Sequence, residues 1–144
     1  MSAPLPSRLL VTGASGYIGR RTVELLLEAG AENVIAASRY PEMLSDLASR
    51  GAEIRKADFD DPATLDLAFA GIERLLIVST DAFGVPGKRQ RQWFTSSGEG
   101  CAGYVTRDDV AAAAAAVLSS DVIHSCRVDV LGWKHYRRQR SLAL

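Results

Sequence analysis

Along the first half of the chain the apolar positions switch repeatedly between two periods. Leu9, Leu10 and Val11 form a short continuous apolar run that stops at a glycine, which predicts a strand covered on both faces. After the glycine-rich residues 13–19, Val23, Leu25, Leu26, Leu27 and Ala29 spread over a wide helical stripe. They predict a helix over residues 17–29, with Gly30 where a C-terminal cap belongs. Asn33 to Ser38 returns to a continuous apolar strand that Arg39 ends. Pro41 suits the first turn of a second helix, with Met43, Leu44, Leu47 and Ala48 facing inward and Gly51 closing it. Residues 53–57 read as a third strand, more polar and therefore at or near a sheet edge. Asp61 as N-cap and Pro62 as first helical residue open a third helix through Leu65, Leu67, Ala68 and Phe69 to Gly71. Leu75, Leu76, Ile77 and Val78 predict a fourth buried strand, with Ser79 and Thr80 at its C-terminal end.

Strands alternating with helices over short connections require a parallel sheet with right-handed crossovers. The predicted class is α/β, with spatial strand order 3-2-1-4 and a ligand crevice between the first and fourth strands. Beyond Thr80 the regularity stops. Residues 81–102 predict an irregular connection, with Gly84, Pro86 and Gly87 followed by the basic run Lys88-Arg89-Gln90-Arg91. Tyr104-Val105 reads as a short strand, and Thr106 with Asp109 is a capping box opening an alanine-rich helix over residues 110–118. In the tail, residues 122–144, a strand around residues 127–131 and a short basic helix after Trp133 are expected. A sheet shortened in this way leaves the edge of the fourth strand open, so pairing with the C-terminal half, or a homo-oligomer, is expected.

The remaining bulk properties narrow the picture rather than redraw it. A chain of 144 residues suffices for one domain, 1–144, with a real core. Lys plus Arg equals Asp plus Glu at 17 each, so no global field favours nucleic acid or an anionic membrane. Cys101 and Cys126 stand far apart without companion ligands, which argues against a disulfide scaffold or a metal site and fits a reducing cytoplasm. Met1 to Pro6 carries two prolines and no basic-then-apolar pattern, so no secretory leader is expected, and no apolar run approaches the roughly 18 residues of a membrane span.

The candidate chemistry begins at Gly13-Ala14-Ser15-Gly16-Tyr17-Ile18-Gly19, a GxxGxxG between strand and helix. One glycine serves a tight turn, one the approach of a pyrophosphate to the backbone, and one the packing of helix on strand; the first free N–H groups of the helix face the phosphate. Arg39 stands at the end of the second strand, where an acidic residue would hold a ribose diol. An arginine there either favours the 2′-phosphate of NADP, with Arg20 and Ser38 assisting, or is an exposed strand-end residue.

Val11 to Gly19, then Ser38-Arg39-Tyr40-Pro41, Ala57-Asp58-Phe59-Asp60-Asp61-Pro62 and Leu76-Ile77-Val78-Ser79-Thr80 together resemble the NmrA-like branch of the atypical short-chain dehydrogenases. Within that branch the likeness is to its NAD(P)H:quinone oxidoreductases. It covers residues 7–85 and resumes at Gly103-Tyr104-Val105-Thr106-Arg107-Asp108-Asp109-Val110, as in a family member lacking a central segment. The resemblance implies a truncated Rossmann-type fold, NADP as cofactor with NAD possible, and hydride transfer to a small acceptor such as a quinone. It places Asp58 and Phe59 beside the adenine, although Phe59 reads equally as core and Asp60-Asp61 as a helix-capping pair. The hydroxyls of Ser79 and Thr80 belong near the ribose and nicotinamide, or else to their own loop. The tyrosine with a lysine four residues on that serves many short-chain dehydrogenases is missing: Arg21, Leu44, Asp108 and Arg140 follow Tyr17, Tyr40, Tyr104 and Tyr136. No catalytic residue is therefore assigned, and a non-catalytic NADP-binding sensor or shortened inactive relative stands as the alternative. His124 and His135 have no partner at nucleophile or metal spacing, and the basic tail with Arg137 and Arg138 reads as a solvated face.

Overall fold

The computed structural model describes residues 8–78, 102–120 and 134–136. Its centre is a four-stranded parallel sheet of β1 (Leu9–Val11), β2 (Val34–Ser38), β3 (Glu53–Lys56) and β4 (Arg74–Leu76) in the order β3-β2-β1-β4. Leu9, Leu10 and Val11 pair with Val34, Ile35 and Ala36 on one side and with Arg74, Leu75 and Leu76 on the other. The predicted order is therefore the observed one, with the polar strand β3 at an edge. The crossovers run through α1 (Tyr17–Glu28), α2 (Ser45–Ser49) and α3 (Pro62–Phe69). A later helix, α4 (Arg107–Ser119), packs on α1.

Alternate residues of the two central strands point to opposite faces, as the pleat requires. Leu9, Val11, Val34 and Ala36 join Val23 and Leu26 of α1, Leu44 and Leu47 of the second crossover, and Ala115 and Leu118 of α4 in one core. Leu10, Ile35 and Ala37 join Ala57 and Ala68 on the other face, with Leu65, Phe69 and Ile72 half-buried beside them. Helix ends are closed by two devices. Gly30, Gly51 and Gly71 all adopt positive φ just past a helix, the left-handed cap that glycine adopts without steric penalty. The carbonyls at the ends of α3 and α4 accept from strand arginines. Arg55 Nη1 donates to Ala68 and Ala70 at 2.7 and 2.9 Å, and Arg74 Nη1 donates to Leu118 at 3.1 Å and to Ser120.

Several predicted details are corrected. Asn33 takes φ 56°, a left-handed conformation that asparagine tolerates, so β2 starts at Val34. The second crossover is a 3-10 turn, Pro41–Leu44, followed by the short α2; Leu44 and Leu47 point inward, whereas Met43 and Ala48 are exposed. Leu67 on α3 is 77% exposed and stands apart from Leu65, Ala68 and Phe69, which join the core on that face. Asp61 occupies the N-cap of α3, yet its carboxylate makes no capping bond. Instead Thr64 Oγ1 donates to the Asp61 carbonyl at 2.7 Å, and Asp58 Oδ1 accepts from the Asp60 N–H at 3.0 Å. β4 is three residues long and only half-buried, and Ile77 lies beyond it, 59% exposed. The capping box of α4 forms as expected, with Asp109 N–H donating to Thr106 Oγ1 at 3.0 Å.

In the C-terminal half, β5 (Ala102–Tyr104) and β6 (Lys134–Tyr136) pair antiparallel in a separate ribbon. The helix expected after Trp133 is thus a strand across Lys134–Tyr136, since that segment finds a ladder partner in β5. These strands pair with each other and not with the edge of β4 among the described residues. Of the irregular connection expected over residues 81–102, Ala102 instead begins β5, where it has a ladder partner in Tyr136, and the rest lies outside the described residues, as do the strand around residues 127–131 and Ser79, Thr80 and His124.

Candidate functional site

The chain leaves β1 through Thr12, which is buried and bonded on both its backbone and its side chain. Thr12 N–H donates to the Leu76 carbonyl at 3.0 Å, and Thr12 Oγ1 accepts from the Val78 N–H at 2.9 Å. One hydroxyl therefore holds the end of β4 alongside the start of the turn. Gly13 follows at φ 64°, and a Cβ there would stand 2.9 Å from the Val78 carbonyl oxygen. Ala14 N–H donates to the Ala37 carbonyl at 3.0 Å, tying the turn to β2 on the other side. Gly16 is the N-cap of α1, and its N–H donates to the Gly13 carbonyl at 2.9 Å. At Gly19 a Cβ would come within 2.4 Å of the Gly13 oxygen, so the first turn of α1 sits directly on the loop. Two of the three glycines thus have a steric requirement, and the third caps a helix whose first turn holds no acidic residue.

A cleft of about 490 Å³ opens over this turn. Gly13, Ser15, Gly16, Tyr17 and Ile18 line it from the glycine segment. Ser38, Arg39 and Tyr40 come from the end of β2, Ala57 and Phe59 from the end of β3, and Val78 and Arg107 from beyond β4 and the start of α4. Ser38 Oγ donates to Ser15 Oγ at 2.9 Å and accepts from the Tyr40 N–H at 3.1 Å, which joins the two rims. Arg39 Nε lies 3.5 Å from Asp58 Oδ1, and its guanidinium carbon is 5.9 Å from the Tyr40 ring centre. At the other end of the cleft, the Tyr17 hydroxyl donates to Asp108 Oδ1 at 2.9 Å, and Arg107 lies over the Tyr17 ring at 5.8 Å. The hydrogen bond and the negative charge of Asp108 hold the Tyr17 phenol above its ordinary pKa.

Of the residues singled out in the sequence, Gly13, Ser15, Gly16, Tyr17, Ile18, Arg39 and Phe59 come together in the cleft. Phe59 is 37% exposed, a wall residue rather than core. Ala14 and Gly19 are buried behind the lining, where they shape the turn. Asp58 reaches the site through Arg39. Arg20 turns away: it pairs with Asp46 and donates to the Met43 carbonyl, joining α1 to the second crossover. Sequence reasoning did not single out Thr12, or Arg107 as a wall of the cleft.

The family model described as NAD(P)H-binding matches residues 13–95, from the first glycine of the turn to beyond β4. The chain belongs to this NAD(P)H-binding family. Quinone oxidoreductase 2 of Escherichia coli (strain K12) is 33% identical over 84 residues, covering 58% of this chain and 29% of that protein. The NmrA-like family domain-containing oxidoreductase flvB of Aspergillus flavus is 37% identical over 76 residues, 52% of this chain and 25% of its own length. The resemblance drawn from the motifs is thereby borne out, and the chain spans less than a third of these curated relatives. Among solved structures, the NADPH-dependent quinone oxidoreductase of Escherichia coli complexed with NADPH superposes with a TM-score of 0.76 at 21% identity, covering 90% of this chain and 71% of that one. A triphenylmethane reductase from Citrobacter sp. gives 0.73 at 20% identity, with 90% and 71% covered. Both establish the shared fold. No helix among the described residues is long and apolar enough to cross a membrane.

Proposed function

We propose that this chain is an NADP-preferring oxidoreductase domain that passes hydride from a nicotinamide to a small acceptor, with a quinone as the first candidate. The observation that carries the cofactor preference is Arg39, whose side chain lines the cleft at the end of β2. A carboxylate at that place binds a ribose diol and repels a phosphate, whereas a guanidinium attracts the phosphate. The turn supports the rest of the fit. Gly13 leaves its backbone bare beside the cleft, the first turn of α1 is free of acidic side chains, and the paired hydroxyls of Ser15 and Ser38 border the same space.

Residues 1–144 are read as one cofactor-binding domain, with Gly13 to Gly19 on the pyrophosphate and Arg39 on the 2′-phosphate. Asp58 fixes Arg39 through Nε, and Phe59 walls the adenine. Ser79 and Thr80 are assigned to the ribose and nicotinamide by their place after β4. A bound nicotinamide supplies the hydride, and the residues of the chain bind it, orient it and exclude water. A quinone acceptor fits a site without a tyrosine–lysine pair, because hydride transfer to it depends on positioning more than on a dedicated acid.

The same missing pair favours a second reading, a domain that binds NADP without turnover. NADPH oxidation with a panel of quinones, run beside direct NADPH titration, separates the two. Turnover with at least one quinone is expected; binding without turnover selects the second reading, and no binding removes both.

A further inference from the structure

Arg107 breaks a local rule that its neighbours obey. It is the first residue of α4, where the positive end of the helix disfavours a cation, while Thr106, Asp108 and Asp109 beside it all suit a helix N-terminus. The adjacent acids do not neutralise it. Asp108 accepts from the Tyr17 hydroxyl at 2.9 Å and lies 3.9 Å from Arg21 Nε, and Asp109 is taken up by the capping box with Thr106. Among the described residues Arg107 makes no ion pair, and its guanidinium rests over the Tyr17 ring at 5.8 Å while lining the cleft. Tyr17 is the first residue of α1, directly after the N-cap Gly16. The amino ends of two helices and one unneutralised guanidinium therefore converge at the glycine-turn end of the cleft. Arg39, held by Asp58 and Tyr40, stands at the end formed by β2.

We propose that Arg107 is a second cationic anchor of the cofactor, set on the pyrophosphate, where Arg39 serves the 2′-phosphate. The Tyr17–Asp108 hydrogen bond positions it, by fixing the first turn of α4 against the first turn of α1. The inference rests on the NAD(P)H reading of the cleft and adds a residue from outside the glycine segment. Its signature differs from that of Arg39. The pyrophosphate is common to NADH and NADPH, so loss of Arg107 weakens both alike, whereas loss of Arg39 weakens NADPH selectively.

The test is calorimetric titration of the full chain with NADPH and with NADH, for the wild type, Arg107→Gln and Arg107→Lys, with thermal unfolding of each protein. Arg107→Gln is expected to weaken both cofactors about five- to tenfold with their ratio unchanged and the unfolding temperature held. Arg107→Lys is expected to recover part of the loss, because the charge is retained without the planar fork. Wild-type affinity in Arg107→Gln overturns the proposal while leaving the NAD(P)H reading intact, and so does a lower unfolding temperature with affinity unchanged, which makes Arg107 a helix-packing residue. A loss confined to NADPH overturns the pyrophosphate assignment. Failure of the wild type to bind either cofactor overturns the reading of the cleft itself.

Discussion

Among the described residues, the two faces of the sheet are covered unequally. On one face α1, the second crossover and α4 close a continuous core around Leu9, Val11, Leu26 and Leu47. On the other, among the described residues, α3 is the helix that shelters Leu10, Ile35 and Ala37, with Leu67 and Ile77 exposed on α3 and just past β4. The well-covered face is also the one whose helix begins at the glycine turn, so the better-packed side of the sheet is the side that shapes the proposed cofactor site. Burial of apolar area dominates folding energetics, which makes the inequality measurable.

The largest effects should fall on the covered face. Leu26→Ala, at a site 1% exposed, is expected to cost about 3–4 kcal/mol in chemical denaturation, against about 1–2 kcal/mol for Leu65→Ala on the half-buried face. Equal losses would break the comparison. Gly19→Ala should cost roughly 2–3 kcal/mol, since its new methyl group meets the Gly13 backbone, which has no flexible end to give way. Thr12→Val comes next, at about 1–2 kcal/mol, by leaving the half-buried Val78 N–H without its acceptor; urea unfolding of this variant reports how firmly the end of β4 is held to the turn. Smallest is Asp108→Asn, expected to bring the Tyr17 phenol back toward its ordinary pKa in an ultraviolet difference titration, without measurable change in stability. A Tyr17 titration that does not move would remove the Tyr17–Asp108 hydrogen bond from the contacts between α1 and α4.

What was legible in the sequence was what depended on local demand, on either face of the sheet. Gly13, Gly30, Gly51 and Gly71 punctuate the chain because positive φ is a local demand, visible without tertiary structure. The strand order followed from the alternation of apolar runs, and the capping box at Thr106 and Asp109 from two residues three apart. What failed depended on neighbours. Met43 and Ala48 had the spacing of an inward stripe, but the 3-10 turn at Pro41–Leu44 rotated them out. Leu67 was apolar yet is exposed among the described residues, and Lys134–Tyr136 became a strand because β5 was available. Asp61 looked like a capping carboxylate, and the Thr64 hydroxyl took the local bond instead. In the candidate site the glycine segment and Arg39 were legible from their spacing. Thr12 was not, since a threonine between an apolar run and a glycine has no pattern of its own. Arg107 did carry a signal, a cation at the start of a helix otherwise built for its N-terminus.

The central claim is that the cleft over the glycine turn selects NADP through Arg39. Parallel titrations of wild type and Arg39→Asp with NADPH and NADH test it most directly. The account predicts tighter NADPH binding by the wild type and a roughly thirtyfold loss for NADPH in the variant, about 2 kcal/mol, with NADH changed far less. Equal losses for the two cofactors, or a wild type that prefers NADH, would contradict it.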